Sequence, residues 1–286
     1  MTAPRRFGSP TGLRPGDHLC WAYDGDAELA AAVLPYLDEG RRRGEHLLLV
    51  GQSRPALLDL LEDLPDRDRL LADGRLEVRA TQDAYAGADD LSPAAQVERY
   101  RAATLAAVGR GRAGLRVAAD VTPLARPGAG GLGRLHAYEQ LADVLMDAVP
   151  MTALCLYDAA LGDDVLGPLA VLHPDQHLGR RYPLAHLSGR GPVLSLHGEV
   201  DVSQAADVAR ALHDVAGGAG PDEAPRDVVL DLTDLHFLDV AGARALATTV
   251  LELDGRGVRV RLVGARRSTR RVLELFGLGA APAEDA

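Results

Sequence analysis

Residues 26–50 read DAELAAAVLPYLDEGRRRGEHLLLV, and their pattern sets the architecture of everything up to about residue 175. Leu29, Val33 and Leu37 recur at helical spacing with alanines between them, which predicts a helix over 26–43. Gly44 closes that helix, and His46 to Val50 is an apolar run of strand length. Working outward, the same unit returns: helical patterns over 55–64, 93–108, 134–148 and 161–172 alternate with strand-like runs at 76–80, 115–119 and 152–157. Such alternation predicts an α/β domain with a mostly parallel sheet covered by helices on both faces. Before it, residues 1–15 carry Gly, Pro, Ser and Arg without periodicity and read as a disordered lead-in.

A second α/β domain follows a boundary between residues 175 and 190. Its pattern is strands near 182–187 and 193–199, a helix over 203–215, a strand at 228–232, a helix over 241–253, a strand at 258–263 and a helix over 268–276. The expected organisation is therefore a lead-in at 1–15, one domain at 16–180 and another at 187–286. A chain of 286 residues is long enough for two domains that each bury a core.

Composition narrows the function. No apolar run approaches the ~18 residues of a membrane span, and the opening with Arg5 and Arg6 lacks a secretory apolar segment, so a cytoplasmic location is expected. A net charge of −10 disfavours nucleic acid as a partner. The two cysteines, Cys20 and Cys155, are too far apart in sequence for a CxxC pair. All 31 basic residues are arginine, a usage that reads as a GC-rich coding bias. With no lysine, a phosphate-binding loop of the Walker type and Schiff-base chemistry both lack their essential amine.

In open parallel sheets, ligands bind beyond the carboxyl ends of the strands, where Gly51, Asp120 and Asp158 fall. The Pro- and Gly-rich stretch 123–133 reads as a loop over such a site.

The C-terminal half carries Leu-His-Gly-Glu-Val-Asp at 196–201, Val-Val-Leu-Asp-Leu-Thr at 228–233, Phe-Leu-Asp-Val-Ala-Gly at 237–242 and Val-Arg-Leu-Val-Gly at 260–264. In these motifs it resembles a STAS domain of the anti-sigma-factor-antagonist type. The resemblance implies docking on an anti-sigma factor of the Ser/Thr-kinase class, or a related regulatory protein, around the start of the helix at 241–253. Asp201, Ser203, Asp239, Val240, Ala241, Gly242 and Arg244 are the implied contact residues. Family members usually place a phosphorylatable hydroxyl where this chain has Ala241. Alanine has no nucleophilic oxygen, so the usual phosphate switch is excluded at that position. Either the protein is a permanently unphosphorylated antagonist under control of its other domain, or it is a degenerate module. Asp239 reads equally as the N-terminal cap of the helix, and Gly242 as a place of close backbone approach.

The first domain carries His-Leu-Cys-Trp-Ala-Tyr-Asp at 18–24, Gly-Glu-His-Leu-Leu-Leu-Val at 44–50, Tyr-Glu-Gln-Leu at 138–141, Leu-Cys-Leu-Tyr-Asp at 154–158 and His-Pro at 173–174. In this order the pieces resemble the MEDS sensory domain, which implies a RecA-like fold. Gly51-Gln-Ser-Arg-Pro, after the first long strand, has neither the glycines nor the lysine of a phosphate loop. A ligand-sensing site is expected from His18, Cys20, Trp21, Tyr23, Asp120, Cys155, Tyr157 and His173, of which His18, Cys20, Tyr23, Cys155, Tyr157 and His173 are read as able to converge. Imidazole and thiolate suit transition metals, but the spacing contains no compact ligand pair, and no metal ligand is assigned. Buried cysteine is more often a small apolar filler, and Trp21 and Tyr23 read first as core and second as pocket wall. The sequence identifies no particular cofactor.

The expected function is a non-enzymatic signalling regulator, in which the first domain senses a small molecule or partner and the second engages a protein. Two other readings stand beside it: an enzyme using Asp120, Asp158, His18 or His173 as acid or base, and an assembly module whose STAS surfaces make homo-oligomers.

Overall fold

A computed structural model describes residues 4–85, 92–126, 131–179, 183–218 and 227–279. The first domain runs β1 (Arg5–Arg6), β2 (His18–Tyr23), α1 (Gly25–Arg43), β3 (His46–Gly51), α2 (Arg54–Leu60), α3 (Arg67–Ala72), β4 (Leu76–Ala80), α4 (Thr81–Ala84), α5 (Pro93–Gly109), β5 (Leu115–Asp120), α6 (Thr122–Ala125), α7 (Leu132–Ala148), β6 (Met151–Asp158), α8 (Asp163–Val171) and β7 (Asp175–His177). The second runs β8 (Ala185–Arg190), β9 (Val193–Val200), α9 (Ala205–Ala216), β10 (Asp227–Asp231), β11 (Leu235–Leu238), α10 (Val240–Gly255), β12 (Arg259–Val263) and α11 (Arg267–Glu274).

The helix that opens the reading above forms as α1. Acidic Asp26 and Glu28 lie in its first turn and Arg41, Arg42 and Arg43 in its last, each favourable to the helix dipole. It stops at Gly44, whose φ of 72° is the left-handed conformation that glycine adopts without strain. Every residue of the β3 strand that follows is buried, as expected of a parallel strand covered on both faces.

The first sheet has seven strands in the order β1-β7-β2-β6-β5-β3-β4, all parallel. Side chains alternate across it. Leu19, Trp21, Leu47, Leu49, Leu154 and Leu156 pack under α1, α2 and α3. Cys20, Leu48, Val50, Val117, Cys155 and Tyr157 pack under α5, α7 and α8. The second sheet is mixed: β9, β10, β11 and β12 run parallel, and β8 pairs antiparallel with β9. No helix among the described residues is long and apolar enough to cross a membrane.

Three differences from the sequence expectations have clear causes. Residues 4–15 are not a disordered lead-in: β1 joins the sheet edge beside β7, the Arg5 guanidinium donates to Asp175 at 2.7 and 2.9 Å, and Leu13 is fully buried. Two arginines on a two-residue strand leave no periodicity to detect. Strands β7 and β11 were likewise too short to announce themselves. Tyr182, and parts of the expected loops at 123–133 and 217–225, lie outside the described residues.

A buried charge anchors the first domain. Arg116 on β5 is fully buried, donates to Glu45 and to the Leu13 carbonyl at 3.0 Å, and lies over the Tyr36 ring at 4.5 Å. Gly40 makes room for it, since a Cβ there would clash with the Arg116 side chain.

The domains share an apolar contact. Helices α7 and α8 pack on β8 and α9, and Val171 and Leu172, at the end of α8, belong to the core of the second domain.

Candidate functional site

The residues expected to converge in the first domain divide between the two faces of its sheet. On β2, alternation sends His18 and Cys20 toward α7 and sends Trp21 and Tyr23 the other way. Trp21 stacks on His177 with ring centroids 3.7 Å apart, and so fills the far side. Tyr23 therefore does not converge with His18, Cys20, Cys155, Tyr157 and His173.

Tyr23 joins Asp120 and Asp158 at the carboxyl ends of β2, β5 and β6. The Tyr23 hydroxyl donates to Asp120 at 3.2 Å, the Thr122 amide donates to the same carboxylate at 3.1 Å, and the Thr122 hydroxyl accepts from the Asp158 amide at 2.9 Å. Burial raises the Asp120 carboxyl above its ordinary pKa even against these hydrogen bonds. Beside them opens a cleft of about 640 Å³, lined also by Gln52, Ser53 and Arg126. Among the described residues its rim carries six carboxylates, at residues 26, 59, 62, 63, 120 and 158, against one guanidinium. That balance repels a polyphosphate and is open to a neutral or cationic small molecule.

On the other face lies a dry polar cluster. His18, Glu139 and His173 are fully buried and Cys155 is 6% exposed. The His18 Nε2 atom is 3.4 Å from the Cys155 sulfur and 3.4 Å from the Glu139 Oε2 atom. Glu139 Oε2 is 3.5 Å from His173 Nε2 and 3.7 Å from the sulfur. One donor atom from each of the four residues falls within 4.8 Å of all the others. Tyr157 donates to the other carboxylate oxygen, Oε1, at 2.8 Å. Cys20 sits directly across the β2–β6 register from Cys155 and stays outside the foursome.

Burial opposes ionisation of Glu139, but His18, His173 and Tyr157 outweigh it and hold the carboxyl below its ordinary pKa. For His173, burial and the neighbouring His18 act together and push the imidazole down to about 3. Burial and the Glu139 charge push the Cys155 thiol up to about 11. The close Cys155–His18 pair is thus opposite in character to a catalytic dyad, which needs a depressed thiol pKa and solvent access.

Glu139 was missed as a site residue in the sequence, as were four further groups on or facing the same helix, His136, Asp143, Asp214 and His186. On α7, His136, Glu139 and Asp143 follow at spacings of three and four and share a face. His136 Nδ1 is 2.9 Å from Asp214 of α9. Asp143 lies 3.6 Å from His18 Nδ1 and 3.5 Å from Nε2 of His186 on β8. The signal was present: polar residues at i, i+3 and i+7 on the inward stripe of an otherwise apolar helix.

In the second domain the two motif regions do come together. Asp239 caps α10, accepting from the Gly242 amide at 2.7 Å, and also accepts from the Val202 amide at 3.0 Å. Asp201 accepts from both the amide and the hydroxyl of Ser203, at 2.8 and 2.6 Å, and shapes the turn ahead of α9. Gly242 is a point of close approach, because a Cβ there would lie 2.8 Å from both Leu238 and Val200 side chains. Val240 and Arg244 are exposed and Ala241 is half-buried. Val202, Phe237 and Val240, 74%, 49% and 60% exposed, place apolar surface around this helix start.

The profile of the MEDS family (methanogen/methylotroph, DcmR sensory domain) matches residues 17–174, and that of the STAS domain matches residues 182–281. No curated protein matches the chain. Among solved structures, the DUF1998 helicase MrfA bound to DNA and AMPPNP is similar at 11% identity and a TM-score of 0.32, over 93% of this chain and 39% of that one. The chain therefore spans about two fifths of that helicase, and so loose a likeness carries no weight for fold or function.

Proposed function

We propose, from the premise that this chain belongs to the MEDS family and continues from its sensory domain into a STAS domain, that it is a non-catalytic signalling regulator of the anti-sigma-factor-antagonist kind. STAS domains generally mediate contacts between proteins of regulatory systems. The partner here is an anti-sigma factor of the Ser/Thr-kinase class, met by the start of α10. The observation that carries this reading is the cluster of exposed Val202, Phe237 and Val240 around the Asp239 cap. Apolar side chains gathered at a helix N-terminus are costly to leave in water and suit a protein interface.

With Ala241 where a hydroxyl would be phosphorylated, control passes to the sensory domain. Its route is α7, one face of which meets the buried cluster through Glu139 and the second domain through His136 and Asp143. A stimulus that binds one arrangement of α7 better than another shifts the population seen by the partner.

The test compares wild type with Ala241→Asp as bait in soluble extract of the source cell, with captured proteins identified by mass spectrometry. Capture of a Ser/Thr-kinase-fold anti-sigma factor by wild type, and at least about tenfold less by the charged variant, supports the reading. Absence of any such protein from the wild-type capture overturns it.

A further inference from the structure

The buried cluster of the sensory domain has the donor set and spacing of a metal centre. We propose that His18 Nε2, Glu139 Oε2, Cys155 Sγ and His173 Nε2 form a four-coordinate site for a divalent transition-metal ion of the zinc class, and that Asp143 links its occupancy to His186 of the STAS domain. The proposal deepens the sensory reading and rests on it only for the signalling consequence.

The spacing comes first. Tetrahedral bonds of about 2.0 Å to nitrogen or oxygen and about 2.3 Å to sulfur separate neighbouring donors by roughly 3.3–3.6 Å. Four of the six donor–donor separations here are 3.4, 3.4, 3.5 and 3.7 Å, and all six are within 4.8 Å. Two imidazoles, one thiolate and one carboxylate are borderline donors that suit zinc, cobalt(II) or iron(II) better than calcium or magnesium.

Each donor is also aimed. His173 Nδ1 donates to the Leu169 carbonyl at 2.7 Å, so its hydrogen sits there and the lone pair of Nε2 points into the cluster. That Nε2 atom is buried and has no hydrogen-bond partner. A buried polar atom without a partner is costly, and a metal bond satisfies it. Tyr157 occupies Glu139 Oε1 and leaves Oε2 for the ion. Asp143 lies 3.6 Å behind His18 Nδ1, a buried atom without a hydrogen-bond partner, so a small shift on metal binding would complete the carboxylate–histidine–metal arrangement that orients a ligand.

Charge agrees as well. A dication with one carboxylate and one thiolate is neutral overall, which a site without solvent contact requires. Four protein donors leave no open position, as in sites that hold structure or report occupancy rather than turn over substrate. When the ion fixes His18, the Nδ1–H becomes a stronger donor and draws Asp143, whose second oxygen lies 3.5 Å from His186 on the first strand of the STAS sheet.

The experiment titrates cobalt(II) chloride into the chelator-treated full-length chain and follows the visible d–d bands and the near-ultraviolet thiolate charge-transfer band. One equivalent with a tetrahedral spectrum, a charge-transfer band and displacement by zinc chloride is the expected result. Cys155→Ser removes the charge-transfer band while Cys20→Ser keeps it, and Asp143→Asn weakens binding about tenfold. Far-UV circular dichroism checks that each variant is folded; if Cys155→Ser is not, the charge-transfer band of wild type beside that of Cys20→Ser decides. A wild-type chain that takes up no cobalt, or takes it up with a pale octahedral spectrum lacking the thiolate band, overturns the proposal. Neither result touches the anti-sigma-factor capture above, so the two readings fail separately.

Discussion

His136 of the sensory domain faces Asp214 of the STAS domain at 2.9 Å, with its imidazole fully buried. The pair lies in a contact that also holds Asp143 facing His186 at 3.5 Å and the aliphatic side chains of Val171 and Leu172. Asp214 also takes Arg210 at 2.8 Å and His213 at 3.0 Å, so one carboxylate organises three cations or potential cations around the domain boundary.

This carboxylate makes the domain contact acid-sensitive. Burial opposes its ionisation, but His136, His213 and Arg210 win and lower its pKa well below the ordinary 3.8. A carboxyl lowered in the folded state contributes stability above its unfolded value, and that contribution is lost as pH falls through the folded value. Urea unfolding should therefore show stability dropping as pH falls below about 3.8. In Asp214→Asn the drop over that window is smaller, and stability at neutral pH is lower than wild type by about 1–3 kcal/mol.

Arg116→Met leaves Glu45, only 2% exposed, without its cation. Stranding a buried charge costs about 3–5 kcal/mol. Guanidinium unfolding of the variant should show a loss of this size; a loss under about 1 kcal/mol would mean that the pair contributes little.

Asp239 separates capping from contact. Asp239→Ala should lower stability by about 1 kcal/mol, since the Gly242 and Val202 amides lose their acceptor. Asp239→Asn keeps the cap and restores most of that stability. If the asparagine variant still fails to capture the anti-sigma factor, the carboxylate charge itself meets the partner.

Gly242→Ala should destabilise the STAS domain by about 1–3 kcal/mol through overpacking against Leu238 and Val200. The adjacent Ala241→Asp lies on half-exposed surface and should melt within a few degrees of wild type in calorimetry.

Both cysteines are fully or nearly buried and free, and burial raises the pKa of each. A thiol reagent such as DTNB should therefore label neither Cys20 nor Cys155 in the native chain, while urea-denatured protein takes up two equivalents. Rapid native labelling would place one of them in an open, reactive setting.

The long elements were legible in the sequence because their periodicity is strong. Residues 26–50 announced α1 and β3, and four motif blocks announced the STAS domain. What stayed hidden was sidedness. Eight site residues formed a plausible set, yet strand alternation sends Tyr23 to a surface cleft and His18, five residues earlier on the same strand, to a sealed interior. Glu139 and Asp143 were hidden for a related reason. A carboxylate on a helix is usually solvated, and only the tertiary fold reveals that this stretch of α7 is covered on one side by its own sheet and on the other by a second domain. β1 and β7 were invisible because two and three residues carry no pattern, although they extend the sheet by two strands.

Val171 and Leu172 have a further implication for how such proteins are built. Their side chains complete a hydrophobic bed that belongs to the next domain. Recombination at the family boundary would therefore carry two foreign residues into any new output module. A transplanted receiver must offer matching recesses, or the graft would expose a greasy seam. The modular-looking join is, at the level of atoms, a mortise that restricts which domains can be exchanged behind this sensor.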